Sequence, residues 1–406
     1  MTQPATSGTS PQASIGTVVL ILGALTIMPP LATDMYLSAF PKMAEHFQVS
    51  GGEIELSLSL FVMGLALGQI VYGPMIDRFG RKIPLMIGVL LFTLSSLAIV
   101  LVPEVHLFLG LRFLQAIGGC AGMVISRAII DDMFEPIEGA RVLSTMMLIT
   151  GIGPVLAPIL GSYLVEFAGW QSIFILLFVF GASCLVWTFR SLPETLPKHG
   201  RSDAGLVRVL QVFAGLLTQR SFLLPALTGS LALGGLFAFI TASPAVFMNV
   251  FNLDHTTYGW VFALNAVGMI VGSQVNRALL GRFSMRSILF GGLISYCVFA
   301  MLLLLAAPLE NLVALLVPLL LCIGGIPVII ANATALAMSG NRANAGSASA
   351  LIGVLQFGIA GLVSAAVSMF STNPAISMSG GIAITAIGAF LIFLIRPESH
   401  RRNSDQ

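Results

Sequence analysis

Twelve long apolar runs, separated by short clusters of charged residues, glycine and proline, account for most of the chain. They begin near Ile15, Ile54, Ile83, Leu107, Val142, Ser172, Phe222, Tyr258, Ser287, Leu312, Gly346 and Ile376. Each can supply the roughly 20 helical residues that cross a hydrocarbon layer about 30 Å thick. The pattern predicts an all-α integral membrane fold of twelve transmembrane helices, and 406 residues leave no room for a sizeable domain outside the bilayer. The longest polar interruption runs from Leu192 to Arg220 and contains Pro193, Pro197 and Gly200. It sets the expected organisation: a tail over 1–14, a six-helix bundle over 15–191, a linker over 192–221, a second six-helix bundle over 222–396 and a tail over 397–406. A weak echo joins the halves, since Gly73-x-x-x-Asp77-Arg78 after span 2 recurs as Gly272-x-x-x-Asn276-Arg277 after span 8. Two even halves around a midplane site are what alternating access requires.

Composition sharpens this picture. Apolar residues make up 57% of the chain and charged residues 9%, against roughly 25% charged in a soluble domain, and the mean hydropathy is +0.97. A net charge of +2 from 19 basic and 17 acidic residues argues against a phosphate-tracking surface and hence against nucleic acid. With the N-terminus in the cytoplasm, seventeen of the nineteen basic residues fall on the cytoplasmic side, so both ends are expected there by the positive-inside rule. Met1 to Ser14 lacks the pattern of a signal peptide, and span 1 is expected to be retained. Cys120, Cys184, Cys297 and Cys322 sit apart in apolar runs, as small buried hydrophobes do.

Charges inside a membrane are costly and mark function. Asp34 in span 1 is the acidic residue that stands out, and the second half offers no buried carboxylate to rival it. Arg112 is the basic residue well inside a span, and its acceptors are expected among Asp34, a backbone carbonyl and the amide of Gln115, three residues on along the same face. Helix breakers gather at Pro29-Pro30 and, in span 5, at Gly151, Gly153, Pro154, Pro158 and Gly161, where packing and gating are equally open readings. In Gly64/Gly68 and Gly118/Gly122 close packing is the better reading.

The segment Gly73-Pro-Met-Ile-Asp77-Arg78-Phe-Gly80-Arg81-Lys82 matches, at every specified position, the signature loop G-x-x-x-D-R-x-G-R-K of the major facilitator superfamily, which it resembles. Ala32-Thr33-Asp34-Met35-Tyr36-Leu37-Ser38-Ala39-Phe40-Pro41 is similar to span 1 of the bicyclomycin/chloramphenicol-resistance (Bcr/CflA) branch of drug:proton antiporters, departing from D-M-Y-L-P-A-L-P at Ser38 and Phe40. Further likeness runs through Tyr258–Asn265 and Gly346–Gly358. The resemblance implies two pseudo-symmetric six-helix bundles and proton coupling through Asp34 and Arg112. It also implies a cytoplasmic latch of Gly73, Asp77, Arg78, Gly80, Arg81 and Lys82 that docks on the opposing half, with Asp131 or Asp132 as acidic partner. Gly153-Pro154 resembles the antiporter motif of span 5, with Ile149 and Ala157-Pro158 departing from it.

The function so implied is a proton-coupled multidrug efflux antiporter, exporting amphiphilic antibiotics of the chloramphenicol or bicyclomycin kind across the bacterial inner membrane. The alternative is a proton-coupled exporter or symporter of an endogenous small metabolite. Met35, Tyr36, Phe61, Gln115, Phe237, Phe239 and Asn265 are the residues expected to line a loosely specific cavity. An integral-membrane enzyme is disfavoured because His46, His106, His199, His255 and His400 are scattered among loops and ends without an H-E-x-x-H pattern. An ATP-driven pump is disfavoured because Lys42, Lys82 and Lys198 are the only lysines and none follows a phosphate loop. No cofactor and no metal are expected, the proton gradient being the energy source. The expected partners are small drug molecules, protons and the lipid bilayer, and a monomer is expected.

Overall fold

A chain in lipid must satisfy its backbone internally, which an α-helix does. The computed structural model describes residues 15–197, 206–341, 344–370 and 373–395, and each of the twelve apolar runs is helical there. The elements are α1 (Ile15–Asp34), α2 (Phe40–Phe47), α3 (Gly51–Phe79), α4 (Lys82–Val100), α5 (Val105–Met133), α6 (Pro136–Ala168), α7 (Gln171–Ser191), α8 (Leu206–Thr218), α9 (Arg220–Pro244), α10 (His255–Leu280), α11 (Met285–Ala306), α12 (Leu312–Met338), α13 (Ala345–Met369) and α14 (Pro374–Leu394). Most begin a few residues before their apolar run, because the capping residues are polar. Ser50 and Glu53 form a capping box on α3, and Asp254, Ser284, Asn311 and Asn373 accept from backbone N–H groups opening α10, α11, α12 and α14.

Two departures from the sequence pattern matter. Span 1 breaks after Asp34, turns through a short 3-10 segment at Leu37–Ala39 and restarts as α2, which ends on Gln48 at φ 54°. The linker, read as a polar interruption, contains α8. Its Val209, Val212, Phe213 and Leu216 recur at helical spacing, and Phe213 and Leu216 bury against Phe222, Ala226, Ala337, Ala348, Leu351 and Ile352. The tails 1–14 and 396–406, with the topology-setting Lys198, Arg201, Arg342, Arg396, Arg401 and Arg402, lie outside the described residues.

α1 and α3–α7 form one six-helix bundle and α9–α14 the other. Two helix pairs make most of the contact between the bundles, α3 with α13 and α6 with α10. In span numbers these are 2 with 11 and 5 with 8, so exchanging the halves exchanges the pairs. The end of the molecule carrying Lys42, His46 and His255 is called the Lys42 end below. The opposite end, where α3 runs into Arg81, is the Arg81 end. Large apolar side chains such as Leu101, Phe167 and Ile384, each more than 70% exposed, cover the outer surface as lipid-facing residues do.

Candidate functional site

Pro29 and Pro30 lie inside α1 and have no N–H to donate, which weakens the helix one turn before it ends at Asp34. Thr33 holds the last turn: its hydroxyl lies 3.1 Å from the Pro29 carbonyl, 3.0 Å from that of Pro30 and 3.0 Å from Asp34 Oδ1. Its single proton reaches one of these at a time. Asp34 is 5% exposed and, among the described residues, forms no ion pair. The carboxyl is thus set at a backbone break inside the membrane, a place where irregular chain is tolerated only if protein or a cavity surrounds it.

Arg112 on α5 is fully buried and braces that break. Its NH2 donates to the Ala32 carbonyl at 2.9 Å and its NH1 to Gln115 Oε1. The helix stops two residues later, so Ala32 presents one of the orphan carbonyls of a helix C-terminus, where a cation is favoured. The guanidinium lies between the rings of Tyr36 and Phe61, 4.1 and 4.3 Å from their centroids. Gln115 Nε2 continues the network to Ser96 Oγ at 2.8 Å, and Ser96 donates to the Phe92 carbonyl at 2.7 Å. Of the three acceptors expected for Arg112, the structure gives the carbonyl and Gln115, and not Asp34.

In the second half, Tyr258 of α10 lies within electrostatic reach of the Asp34 carboxyl. Tyr258 is itself buried and pairs with Ser243 of α9 at 2.9 Å. Phe262 packs on Tyr258 and stacks on Phe239, ring centroids 5.3 Å apart. Met35, Tyr36, Phe61, Gln115, Phe237, Phe239 and Asn265 are all buried in this conformation, none more than 7% exposed, so they are packed rather than lining open space. Tyr36, Phe61 and Gln115 are occupied in covering Arg112. Asn265 donates to the Val261 carbonyl and, among the described residues, leaves its buried Oδ1 without a partner. An open apolar groove of about 740 Å³ between α10, α11 and α12 touches none of the seven.

α6 seats against the break. Gly153 lies beside Ile27 and Pro30, and at Gly161 a Cβ would collide with the Met35 carbonyl, so only glycine lets α6 approach the broken backbone this closely. On its other side Pro158 and Ser162 receive Gly259 of α10. The Lys42 end is shut across this seam: His255 Nδ1 donates to the Ser38 carbonyl at 2.8 Å, and Thr256 donates to Glu166 at 2.9 Å.

At the Arg81 end, Gly80 takes φ 89°, a left-handed turn favouring glycine, and aims Arg81 back over α3. Arg81 bonds Asp132 and Asp77, each at 2.9 Å. Burial works against its charge, but these two carboxylates hold the guanidinium above its ordinary pKa. The Arg81 and Lys82 N–H groups donate to Glu194 at 2.8 and 3.2 Å, Lys82 Nζ donates to the Phe189 carbonyl, and Thr195 donates to Asp132. Asp77, Asp132 and Phe189 belong to the first half and Glu194 and Thr195 to the start of the linker, so among the described residues the signature loop is fastened to its own half and to the linker, and the expected docking on the opposing half is not made in this conformation. Asp132 rather than Asp131 takes the arginine. Arg78 lies over its neighbour Phe79, and a Cβ at Gly73 would meet open space. In the second half the echoed Asn276 pairs with Asn332 of α12 at 2.6 Å, a neutral counterpart.

Sequence reasoning passed over three residues here. Glu194 sits among linker prolines, and its role depends on a fold-back that no local pattern encodes. Tyr258 opens an apolar run and gave no polar signal beyond its hydroxyl. Glu55 is 3% exposed on α3; one residue inside the start of its run, it read as a helix-end charge.

The sequence profile described as Major Facilitator Superfamily matches residues 22–365. The chain is 31% identical over 382 residues to the bicyclomycin resistance protein homolog of Haemophilus influenzae, covering 93% of this chain and 96% of that one. It is 30% identical over 378 residues to the multidrug resistance protein MdtL of Salmonella heidelberg, covering 92% and 94%. Among solved structures, the D-xylose-proton symporter superposes with a TM-score of 0.76 at 15% identity, covering 93% of this chain and 97% of that one.

Proposed function

Because this chain belongs to the major facilitator superfamily and is an integral membrane transporter, we propose that it is a proton-coupled antiporter that exports amphiphilic drugs across the bacterial inner membrane. The observation that carries the reading is Asp34: a buried carboxyl at a helix break, without a cation in ion-pair contact among the described residues, and within electrostatic reach of Tyr258 of the other half. A buried carboxylate needs compensation, and either a proton or a cationic or hydrogen-bonding drug provides it, so the two compete for one seat. Arg112 is committed to Ala32, Gln115 and two rings, and acts by holding the break rather than by neutralising Asp34.

With the Arg81 end in the cytoplasm, as the placement of basic residues suggests, the seam at Ser38 and His255 closes the outer side. Drug then reaches Asp34 from the inner side and displaces the proton. Rocking of the halves opens the outer side, where a fresh proton displaces the drug. Each inward proton contributes about 2.3 kcal/mol per 100 mV of membrane potential. The names of the relatives, bicyclomycin resistance and multidrug resistance, agree with a drug as cargo.

Asp34→Asn keeps the volume and removes the titrating group. In inside-out vesicles with an imposed pH gradient, drug-induced proton release should fall to the level of empty vesicles while the protein is still made and folded. Drug-induced release at the wild-type rate in that variant would remove Asp34 from the mechanism. A resistance panel in a pump-deficient bacterium, with a protonophore control, separates drug export from carriage of an endogenous metabolite.

A further inference from the structure

The seam between α3 and α13 can be followed contact by contact. Gln69 lies against Gly353 and Met63 against Gly361, and the hydroxyls of Ser59 and Ser364 are 2.7 Å apart. Thr241 of α9 joins Ser364 at 2.7 Å. One turn nearer the Lys42 end, Glu55 faces Ser368, whose hydroxyl donates to the Ser364 carbonyl at 3.0 Å. Glu55, Ser59 and Met63 are four residues apart and share one side of α3, so this acid is part of the stripe along which the two halves touch.

Its surroundings offer little charge. Glu55 is 3% exposed and, among the described residues, its Oε2 has no hydrogen-bond partner. α13 contains no ionisable side chain, and those of α9 and α4, Arg220 and Lys82, lie at the Arg81 end. On α2, Lys42 is turned to the Val165 carbonyl, His46 packs on Trp170, and Glu45 is exposed. On α5, His106 is exposed and Arg112 is held by Ala32 and Gln115, while Arg127, Asp131 and Asp132 belong to the Arg81 end. Glu53 of α3 itself caps Ser50. Ser368 is therefore the polar group facing the carboxyl, and a charge sealed in such a seat is strongly disfavoured.

The seat exists only while the halves touch, because α3 supplies the acid and α13 the wall. We propose that Glu55 is a second proton-binding site, a latch on this seam: it holds a proton while the Lys42 end is shut and releases it to the adjoining solvent when α3 and α13 part. One O–H bond is broken as water on that side takes the proton, and nothing else is exchanged. Unlike Asp34, Glu55 is reached from one side only, so its proton gates the cycle without crossing. The inference rests on the reading above in one respect, that the halves rock apart at the Lys42 end. The closed form binds the proton and the open form does not, so the closed-to-open ratio falls as pH rises, by up to about tenfold per pH unit for one site.

The test places donor and acceptor dyes on Glu104→Cys and Leu309→Cys, both exposed at the Lys42 end, in the full chain in lipid nanodiscs with its four cysteines changed to alanine. Asp34→Asn is included throughout to silence the other acid. Between about pH 5 and 8 the Asp34→Asn chain should open at the Lys42 end as pH rises. Adding Glu55→Gln should hold that end shut across the range, and Glu55→Asp should restore the dependence, a rescue that a packing role would not give. Opening of the Glu55→Gln chain with the same pH dependence would overturn the proposal. If the labels never separate at any pH in any chain, the rocking halves fail first and the latch falls with them.

Discussion

At the scale of single residues, the arrangement turns on a division of labour between Asp34 and Arg112. A buried arginine beside a buried acid suggests an ion pair, yet Arg112 satisfies a helix-end carbonyl and a glutamine instead. That leaves Asp34 with a hydroxyl neighbour and no fixed countercharge, so it can exchange partners. Arg112→Met keeps much of the volume while removing both donors. It should destabilise the protein by about 1–3 kcal/mol, the cost of leaving a buried acceptor unpaired, read as a lower midpoint of thermal unfolding in detergent. Retention of the full wild-type midpoint would mean that the brace is not structural. The identities of Asp34, Arg112 and Gln115 were legible in the sequence, because charge inside an apolar run is rare. Which of the three touch was not, since Ala32 meets Arg112 only after α1 and α5 pack. Glu55 was illegible for a different reason: its position along the run placed it near water, and its place opposite Ser368 of α13 arises only once the halves pack.

At the scale of elements, glycines decide where backbones can approach. α6 reaches the Met35 carbonyl at Gly161, so the two open readings of the span-5 breakers, packing and gating, meet in one contact. Gly161→Ala should cost about 1–3 kcal/mol from overpacking and displace the break, seen as both lower thermal stability and slower drug-coupled proton movement. A variant losing stability alone would assign Gly161 to packing only. The twelve spans followed directly from their apolar length. The break between α1 and α2 followed from Pro29-Pro30 only as a weakness, its location being set by Arg112 and α6. α8 shows the opposite failure. Its four apolar positions at helical spacing were present in the linker, but the flanking prolines and basic residues hid a helix of thirteen residues.

At the scale of the whole molecule, the two ends are held differently. The Lys42 end is joined across the halves by Ser38 with His255 and Glu166 with Thr256. At the Arg81 end the signature loop is tied to Asp132 of its own half and to Glu194 at the start of the linker. A loop so fastened stiffens one bundle, and its effect on transport must come through that bundle's shape. Arg81→Ala should therefore slow turnover several-fold with drug affinity changed by less than about twofold, compared by equilibrium binding and by transport in the same vesicles. Weakened binding at an unaltered rate would count against it. The signature was readable from ten residues; its docking was not, because Glu194 lies more than a hundred residues away along the chain.

The contact between Gly161 and Met35 has a kinematic consequence. Two backbones that interlock so closely cannot slide past each other, so the acid at the end of α1 is bolted to α6 rather than hung on a flexible joint. When the halves tilt, Asp34 travels as cargo on a rigid lever, and it is the opposing wall carrying Tyr258 that sweeps past it. Access would then change by moving the doorway rather than the occupant.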